Sequence, residues 1–543
     1  MGLFLFFLFA IVAGLLWTAA CTAAAARATR PWLKALLVAL GTSLPVIAML
    51  PIVAATWWLA FGMRVQPSWF PHALTVLVSL LLGGGWIVRA GLASRGEGTA
   101  PAARWPIIGL TALAVIAAAV TAGVLLILDN AVVAQSPYLR LEAANLVRDN
   151  LPPIVADADN AAPLHLQAAA AIAADEVFSA EGSPVHAEGD VLRDDVTAFL
   201  DRHATTLDLV RRAADRDTCR FTRDWSRPSI DMILAEIQAL RSEGRLLALA
   251  ARRAAAEGRH ADALADIVRI HRIGRHAAAE PILVSYLVGI SLDSVALAAL
   301  VDILPRLGAA DAPLLDSPAV RDLVGRPFDL LPALYGEEAF GLSTFAGFAD
   351  GRVTPAEFLG PDQAADASMV GDIDPLFRVF FLERDIAGYR QLMHDYQQLA
   401  ARRDESASHA ETIRQAESLE RTLEKRQGML SRLLFPALKQ VFLVRGRAEA
   451  AHRAAAALVA ATKQRLQAGT LPLGPGEFSG TPPYALPSDP FMEGGKAIVM
   501  KKGDAGIVAY SVGPDGADDG GPTPRGEETA EGNDDVGFVM AVR

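Results

Sequence analysis

This sequence of 543 residues has few cysteines and no excess of positive charge. Its two cysteines are Cys21, inside an apolar run, and Cys219, far downstream. Two thiols so placed cannot form the disulfide framework of a small secreted domain. Lys and Arg number 50 against 61 Asp and Glu, which gives a net charge of −11. We therefore expect no nucleic-acid partner, because phosphates require a basic protein face.

Common catalytic motifs are also missing. The ten histidines form no H-E-x-x-H pair, no phosphate loop precedes a Lys-Ser/Thr pair, and no G-x-S-x-G turn occurs. His271 and His276 are five residues apart, about 140° around a helix, so they do not form the one-turn pair that zinc prefers. We interpret both as core or surface residues. Arginines near Cys219 could lower its pKa, but a buried structural thiol is the favoured interpretation.

Charge is nearly absent from residues 1–129, which contain seven Lys/Arg and two Asp/Glu, a net +5, whereas the remainder carries −16. Each uncharged apolar stretch in this region approaches or exceeds the roughly 20 residues that cross a bilayer as a helix. The four stretches are approximately Leu3–Ala26, Ala35–Met63, His72–Val88 and Trp105–Leu128. The sequence predicts a four-helix transmembrane anchor over residues 1–129. Because the spans contain no internal ionisable group, an anchor is favoured over a transport path.

The cations between these stretches predict an orientation. The first loop has Arg27, Arg30 and Lys34, the second has Arg64, and the third has Arg89, Arg95 and Arg104. By the positive-inside rule, the first and third loops are cytoplasmic, and everything after Leu128 lies outside the cytoplasm. A cleaved signal peptide is the alternative for the first span, but it would need a cationic start that Met1–Leu16 lacks. We expect a multi-pass protein of the bacterial inner membrane with a large periplasmic domain.

A helical extracytoplasmic domain is predicted over residues 130–444, where Ala, Leu, Arg and Glu dominate and apolar residues recur every three or four positions. The clearest pattern, Ser229–Leu307, predicts three helices with turns at Gly258 and Pro281. Its first turn resembles a tetratricopeptide-type junction, but no 34-residue period continues. A helical bundle and an irregular helical repeat both remain open. Residues 129–163 and 308–375 are expected to be less regular.

The last hundred residues, 445–543, predict a small α+β module. A helix over Leu438–Gln467 is followed by a Pro-rich stretch. The β-prone runs Ala497–Met500, Ile507–Ser511 and Gly537–Val542 then predict an antiparallel sheet.

One sequence motif in this module is specific. An Asp489-Pro490-Phe491 turn precedes the strands, and a Tyr510-Ser511-x-Gly513-x-Asp515-Gly516 run follows, with Gly520-Gly521 before a late Asp-Asp-Val. Residues 450–543 thereby resemble the C-terminal domain of the type II secretion major pseudopilin. In that family the loop binds calcium, which implies ligands here at Asp515 and Asp535, with Asp518, Asp519 and Asp534 supplementary. A hard cation takes about six to eight oxygens, which such a loop can supply. A disordered acidic loop is the alternative.

The chain also departs from that family. Its four predicted spans and long intervening domain argue against the usual packing of a pseudopilin filament. The motif "DADNAAPLHLQAA" at residues 157–169, together with the helical turn and the terminal module, resembles a group of large uncharacterised bacterial envelope proteins. That group supplies an architecture but no activity.

These features predict a non-enzymatic binding or scaffolding protein of the cell envelope. Its expected partners are the lipid bilayer and a protein on the extracytoplasmic side, and its C-terminal module would be stabilised by calcium. The alternative is an envelope-acting hydrolase with acid/base carboxylates in the helical domain. Paired carboxyls with raised pKa values in a pocket would favour the hydrolase, and a broad apolar groove would favour the binding protein.

Overall fold

The structure, a computed structural model, describes most of the chain after residue 129. The described ranges are 130–180, 182–186, 190–225, 235–352, 382–402, 409–426, 438–472, 486–503, 506–522 and 533–541, with single positions between 21 and 37. Apart from those positions, the four predicted spans lie outside the described residues. The transmembrane anchor therefore stays a prediction.

The described part is mainly helical and carries one small antiparallel sheet, as the sequence predicted. Residues 130–150 are helical. The next helices are α1 (Ala162–Ala173), α2 (Glu176–Ser179), α3 (Asp194–Arg202), α4 (Ala204–Ala214), α5 (Ala235–Ala256), α6 (His260–Ala278) and α7 (Leu283–Ile303). They are followed by α8 (Ala312–Leu315), α9 (Pro318–Leu323), α10 (Leu331–Ala349), α11 (Glu383–Ala401), α12 (His409–Arg426) and α13 (Leu438–Ala468). The strands are β1 (Val499–Lys502), β2 (Gly506–Ser511) and β3 (Val536–Ala541).

Helices α5, α6 and α7 form the centre of the helical domain and pack against one another pairwise. They confirm the three helices predicted from the apolar pattern of Ser229–Leu307. Gly274 and Gly289 mark the closest approach of α6 to α7, since a Cβ at Gly289 would lie 2.7 Å from the carbonyl oxygen of Gly274. A larger residue at either position would push the helices apart.

Helix α7 is apolar around its whole circumference, as expected for a helix surrounded by protein. With the short 3₁₀ turn that follows, Leu283–Arg306 has a mean hydropathy of 2.1, and among the described residues this is the one helix long and apolar enough to cross a membrane. Most of it is buried in the helical domain. A core helix meets the same criteria, so this finding does not test the predicted anchor.

The C-terminal strands form a sheet in the order β1-β2-β3, with both pairs antiparallel. Every residue of β2 is buried. Strands β2 and β3 pack on α13, and α13 packs on α7 and α12. The hydroxyl of Thr462 in α13 lies 3.5 Å from the sulfur of Met540 in β3. The sheet thus shares its core with the helical domain through α13.

Two predictions of irregular structure are wrong in part. Residues 130–150 are helical because Val132, Leu139, Ala143 and Val147 recur at helical spacing and are buried. Within the predicted loose segment 308–375, residues Leu331–Ala349 form the long helix α10.

The glycines of α10 interrupt its helical pattern of apolar residues, so the sequence did not predict the helix. They are needed because neighbouring groups approach the helix closely at these positions. A Cβ at Gly336 would lie 1.7 Å from the carbonyl oxygen of Pro281, and a Cβ at Gly341 would meet the ring of Tyr389. The last part of that segment, 353–375, lies outside the described residues.

The chain divides into two compact units. The first comprises Met1–Leu139 and Thr344–Ile386, and the second comprises Arg140–Ser343 and Ala387–Arg543. The second unit contains the three central helices, α13 and the sheet. All candidate sites described below lie within it.

Candidate functional site

The predicted calcium loop joins β2 to β3, and residues 512–522 and 533–535 of it are described. Gly513 has a φ of 75°, and a Cβ there would lie 2.0 Å from the carbonyl oxygen of Asp534. The two ends of the loop therefore touch at a position that only glycine fits. This contact brings aspartates from both ends of the loop towards each other.

Among the predicted ligands, Asp535 lies partly buried and has a raised pKa. Its Oδ2 accepts a hydrogen bond from the backbone N–H of Gly521 at 2.7 Å, while its Oδ1 is buried and lacks a hydrogen-bond partner in the described part. Burial raises the pKa of Asp535, and the nearby charges of Asp518 and Asp519 raise it further. The pKa of Asp518 is lowered, chiefly because the hydroxyl of Tyr510 donates to it at 2.6 Å.

The other two predicted ligands have different partners. Asp515 accepts from the backbone N–H two residues ahead at 3.0 Å, and Asp534 pairs with an arginine of α13 at 2.7 Å. The structure thus groups Asp518, Asp519 and Asp535 and turns the other two carboxylates elsewhere. Across the described ranges, no three of the five aspartates place oxygens within 4.8 Å of one another. The calcium site stays a prediction.

Asp489, from the predicted Asp-Pro-aromatic turn, anchors that turn to the end of β2. Its carboxylate is 3% exposed and accepts three hydrogen bonds. Its Oδ1 receives the hydroxyl of Ser511 at 2.7 Å and the N–H of Phe491 at 2.8 Å, and its Oδ2 receives the N–H of Val512 at 3.0 Å. This carboxylate is structural, because its three hydrogen bonds hold the turn together and join it to the end of β2.

A second group of ionisable side chains lies deep among the helices. It consists of four side chains that are each no more than 2% exposed. They are His165 of α1, Cys219 after α4, Glu243 of α5 and His276 of α6. We call these four residues the His–Cys cluster. Burying polar groups of this kind costs free energy unless they form hydrogen bonds or ion pairs. Their contacts therefore indicate their role.

The contacts of the His–Cys cluster are short and specific. Nδ1 of His165 lies 2.6 Å from Oε2 of Glu243, and Nε2 of His165 lies 3.2 Å from Nδ1 of His276. Nε2 of His276 lies 2.8 Å from the carbonyl oxygen of Arg216. One ligand atom from each of His165, Cys219 and His276 falls within 4.8 Å of the other two. Among the described residues, this is the one group of three His, Cys, Asp or Glu side chains so close together.

Burial also shifts the pKa values of His276 and Cys219. It lowers the pKa of His276 to about 3, with a further contribution from His165, so the His276 ring is neutral at pH 7. It raises the pKa of Cys219, and the carboxylates of Glu280 and Glu243 raise it further. The thiol is therefore protonated in the absence of a cation. Arg223 opposes this rise, but burial outweighs it, so the predicted lowering of the pKa is wrong, whereas the burial of the thiol is confirmed.

Asn160 holds Cys219 in place. Its side chain accepts from the N–H of Arg220 at 2.9 Å and donates to the carbonyl of Arg220 at 2.9 Å. The N–H of Ala161 donates to the carbonyl of Thr218 at 2.8 Å. These bonds clamp the segment around Cys219 to the start of α1, three residues before His165. Asn160 also accepts from the first N–H of α1, although Ala161 occupies the N-cap position.

A separate buried network links α6, α7 and α13. Asp293 is 1% exposed, and its two oxygens each lie 2.6 Å from a histidine nitrogen, Nδ1 of His271 and Nε2 of His452. Burial alone would raise the pKa of Asp293, but the hydrogen bonds from the two histidines outweigh it and lower the pKa. This network joins residues 181 positions apart and fastens the C-terminal helix to the core.

Two carboxyl groups of α10 have raised pKa values. Burial raises the pKa of Glu337 to about 7 and also raises that of Glu338, although the amide of Gln397 donates to Glu338 at 2.7 Å. Because the two residues are consecutive, their side chains leave the helix about 100° apart. They do not converge as a general acid and base would.

Sequence patterns did not reveal the His–Cys cluster. Its four residues come from four separate segments, and no two share a recognisable metal-ligand spacing. The available signals were one histidine in the apolar run Leu164-His165-Leu166 and one glutamate on the apolar side of α5. Either signal alone is common in helical cores.

Comparison of the chain with protein-family models, curated proteins and solved structures finds no match. The resemblance to the pseudopilin module and to large envelope proteins therefore stays a prediction. Function has to be inferred from the residues and their geometry.

Proposed function

We propose that this protein is a membrane-anchored, non-enzymatic binding or scaffolding protein of the bacterial cell envelope. Residues 1–129 would hold it in the inner membrane, and the domain from residue 130 onwards would meet a protein partner in the periplasm. The contrast between a nearly uncharged N-terminal region and an acidic remainder supports the anchor.

The observation that carries the proposal is the shared core of the helices and the sheet. Helix α13 packs on α7 on one side and on β2 and β3 on the other, and Asp293 bonds to His452 within this core. We expect a scaffold to be a single folded body of this kind. Its buried charges are used to connect helices: Asp266 of α6, for example, pairs with Arg211 of α4 at 2.7 Å.

Calcium binding by the C-terminal loop is part of this proposal. Burial raises the pKa of Asp535, and the charges of Asp518 and Asp519 raise it further, so ionising this carboxyl group costs free energy when no cation is bound. A divalent cation would relieve that cost and would fit the oxygen-rich chemistry of the loop. The proposed ligand set is the five predicted aspartates.

Topology provides the first test of the proposal. A phosphatase reporter, which is active only outside the cytoplasm, is fused after Asn130, and a matched fusion is placed after Arg30 in the predicted cytoplasmic loop. We expect activity from the first fusion and none from the second. Activity of a cytoplasm-specific reporter after Asn130 would overturn the orientation and the envelope role with it.

The scaffolding role is tested separately. Full-length protein is crosslinked in intact cells, solubilised in detergent and compared with a variant that retains only residues 1–139. A stoichiometric partner that crosslinks to the full chain and not to the anchor supports the role. A full chain that yields crosslinks only to itself would contradict it.

Hydrolysis is the second candidate, and the raised pKa of Glu337 is the observation that favours it. A carboxyl group that titrates near neutrality can act as a general acid. If the protein hydrolyses envelope material, Glu337→Gln should abolish the release of soluble products from purified envelopes, whereas the exposed control Asp208→Asn should leave it unchanged. No release by the wild-type chain would exclude this candidate.

A further inference from the structure

We propose that His165, Cys219 and His276 bind one metal ion of the class that prefers imidazole and thiolate, with Zn²⁺ as the expected ion and Cu⁺ as the other that this donor set accepts. In this proposal Glu243 is a positioning residue that orients His165. The site is distinct from the predicted calcium loop in both location and chemistry.

The first argument is the position of the ring protons. The carbonyl oxygen of Arg216 can only accept, so Nε2 of His276 must carry a proton and donate it at 2.8 Å. In the neutral ring, Nδ1 of His276 then presents a lone pair. In metal sites, a carboxylate or carbonyl oxygen commonly accepts the ring N–H of a histidine in this way. This hydrogen bond fixes the orientation of the ring and leaves its other nitrogen available to bind the metal.

His165 follows the same rule. Glu243 lies 2.6 Å from Nδ1 of His165, and an ionised carboxylate there requires a proton on Nδ1. Nε2 of His165 then presents a lone pair towards Nδ1 of His276, only 3.2 Å away. Two lone pairs facing each other in a dry interior repel unless a cation lies between them.

The spacing fits a tetrahedral ion. Nitrogen ligands about 2.0–2.1 Å from zinc, at the tetrahedral angle, are separated by about 3.3 Å. The observed 3.2 Å matches this separation, and a ligand atom of Cys219 lies within 4.8 Å of both nitrogens. The sulfur of Cys219 is thus close enough to both nitrogens to serve as the third ligand.

Charge balance supports the same conclusion. A Zn²⁺ ion, the thiolate of Cys219 and the carboxylate of Glu243 sum to zero, which suits a cluster buried from solvent. Oε1 of Glu243 is buried without a hydrogen-bond partner in the described part. Binding would release the thiol proton of Cys219.

A shared proton is the competing explanation for the short contact between the histidines. In that case His165 donates Nε2–H to His276, and Glu243 is protonated or His165 is charged. This explanation gives Cys219 no part, whereas the metal requires its sulfur. The thiolate is therefore the decisive readout.

The experiment uses the full-length chain in detergent, reduced, stripped with a chelator and titrated with Co²⁺ as a spectroscopic probe. We expect a single Co²⁺ per chain, a sulfur-to-cobalt charge-transfer band and displacement by Zn²⁺. Cys219→Ser should abolish the band, and Glu243→Gln should weaken binding by about 10- to 100-fold. The metal content of protein purified without chelator distinguishes Zn²⁺ from Cu⁺.

Two control variants test whether the band depends on Cys219 alone. Cys21→Ser and His394→Gln remove a cysteine and an exposed histidine outside the cluster and should leave the band unchanged. If Cys219→Ser loses its helical circular dichroism, a band retained by Cys21→Ser still identifies Cys219, because the chain has only these two cysteines. Absence of the band in folded wild-type protein, or its survival in folded Cys219→Ser, would overturn the proposal.

Discussion

Single buried residues determine how the C-terminal module is held together, and Asp489 is the clearest case. Three donors converge on its carboxylate, from Ser511, Phe491 and Val512. In Asp489→Asn, the new amide N–H group would face one of these donors, and a buried charged acceptor would be lost. We expect the free energy of unfolding to fall by about 2–4 kcal/mol, measured by denaturant unfolding of the full chain.

Asp208→Asn is the control for this prediction. Asp208 is exposed and forms a one-turn ion pair with Arg212 on α4, a contact usually worth well under about 1 kcal/mol. Its replacement should change stability little. Equal losses from both variants would show that Asp489 is not the structural anchor we infer.

His409, at the start of α12, should make stability depend on pH. Burial lowers its pKa to about 4; Glu449 opposes this shift, whereas Arg445 and Arg453 add to it. The unfolded chain takes up this proton near pH 6.5, but the folded chain takes it up only near pH 4. Acidification across that interval therefore favours unfolding, by at most about 1.4 kcal/mol per pH unit.

The measurement compares unfolding free energies of wild type and His409→Gln between pH 4 and 7. In the variant, the free energy of unfolding should fall less on acidification, because the proton uptake of His409 in the unfolded chain is gone. Its free energy of unfolding near pH 7 should change less. Exposed His394→Gln serves as the control and should keep the wild-type profile. An unchanged slope in His409→Gln would contradict the lowered pKa.

Residues of the candidate sites were predictable only where they were close in sequence. Asp518, Asp519 and Asp535 belong to one recognisable loop motif, so their shared position in that loop could be predicted. The His–Cys cluster could not be foreseen, because His165 and His276 are 111 positions apart and meet only when α1 packs beside the central helices. Tertiary contact supplies information that spacing along the chain does not contain.

At the scale of elements, periodicity predicted α5, α6, α7 and α13 well because each places apolar residues at helical spacing over many turns. The pattern of α10 was missed, since Gly336 and Gly341 interrupt it for reasons visible only in three dimensions. The three strands were predicted near their observed positions. A segment rich in Gly is predicted to form turns from its composition, even when its glycines are present because neighbouring groups pack closely.

The loop between β2 and β3 carries the next prediction. If it binds calcium, the melting temperature of the full chain should rise with Ca²⁺ and fall with a calcium-selective chelator, monitored by circular dichroism. Asp535→Asn should remove this response. Because the folded pKa of Asp535 is raised, its ionised form opposes folding when no cation is bound. The variant should therefore be at least as stable as wild type in chelator.

A calcium-selective chelator matters here, because a general one would also strip the proposed zinc ion. Asp208→Asn again serves as the matched control and should retain the full response to Ca²⁺. Identical melting curves of the wild-type chain with and without Ca²⁺ would reject the calcium site and would leave the His–Cys proposal unaffected.

At the scale of the whole molecule, the terminal module and the helical domain share one core. Sequence composition changes sharply near residue 470, which suggested a module separable at residue 445. Instead α13 is buried along most of its length between α7, α12 and the sheet. A composition boundary marks where local structure changes, and it does not show whether the two sides fold independently.

This shared core predicts that the sheet and the central helices lose protection together. Leu458 of α13 is 0% exposed and belongs to the same apolar cluster as α7 and β2. Leu458→Ala should cost about 2–5 kcal/mol and should accelerate amide hydrogen exchange in both α7 and β2, measured by mass spectrometry on the detergent-solubilised chain. Leu192→Ala, at a position 49% exposed, should leave both unchanged. If exchange rose in β2 while α7 kept its protection, the module would unfold alone, and the scaffold would be two bodies joined by a helix.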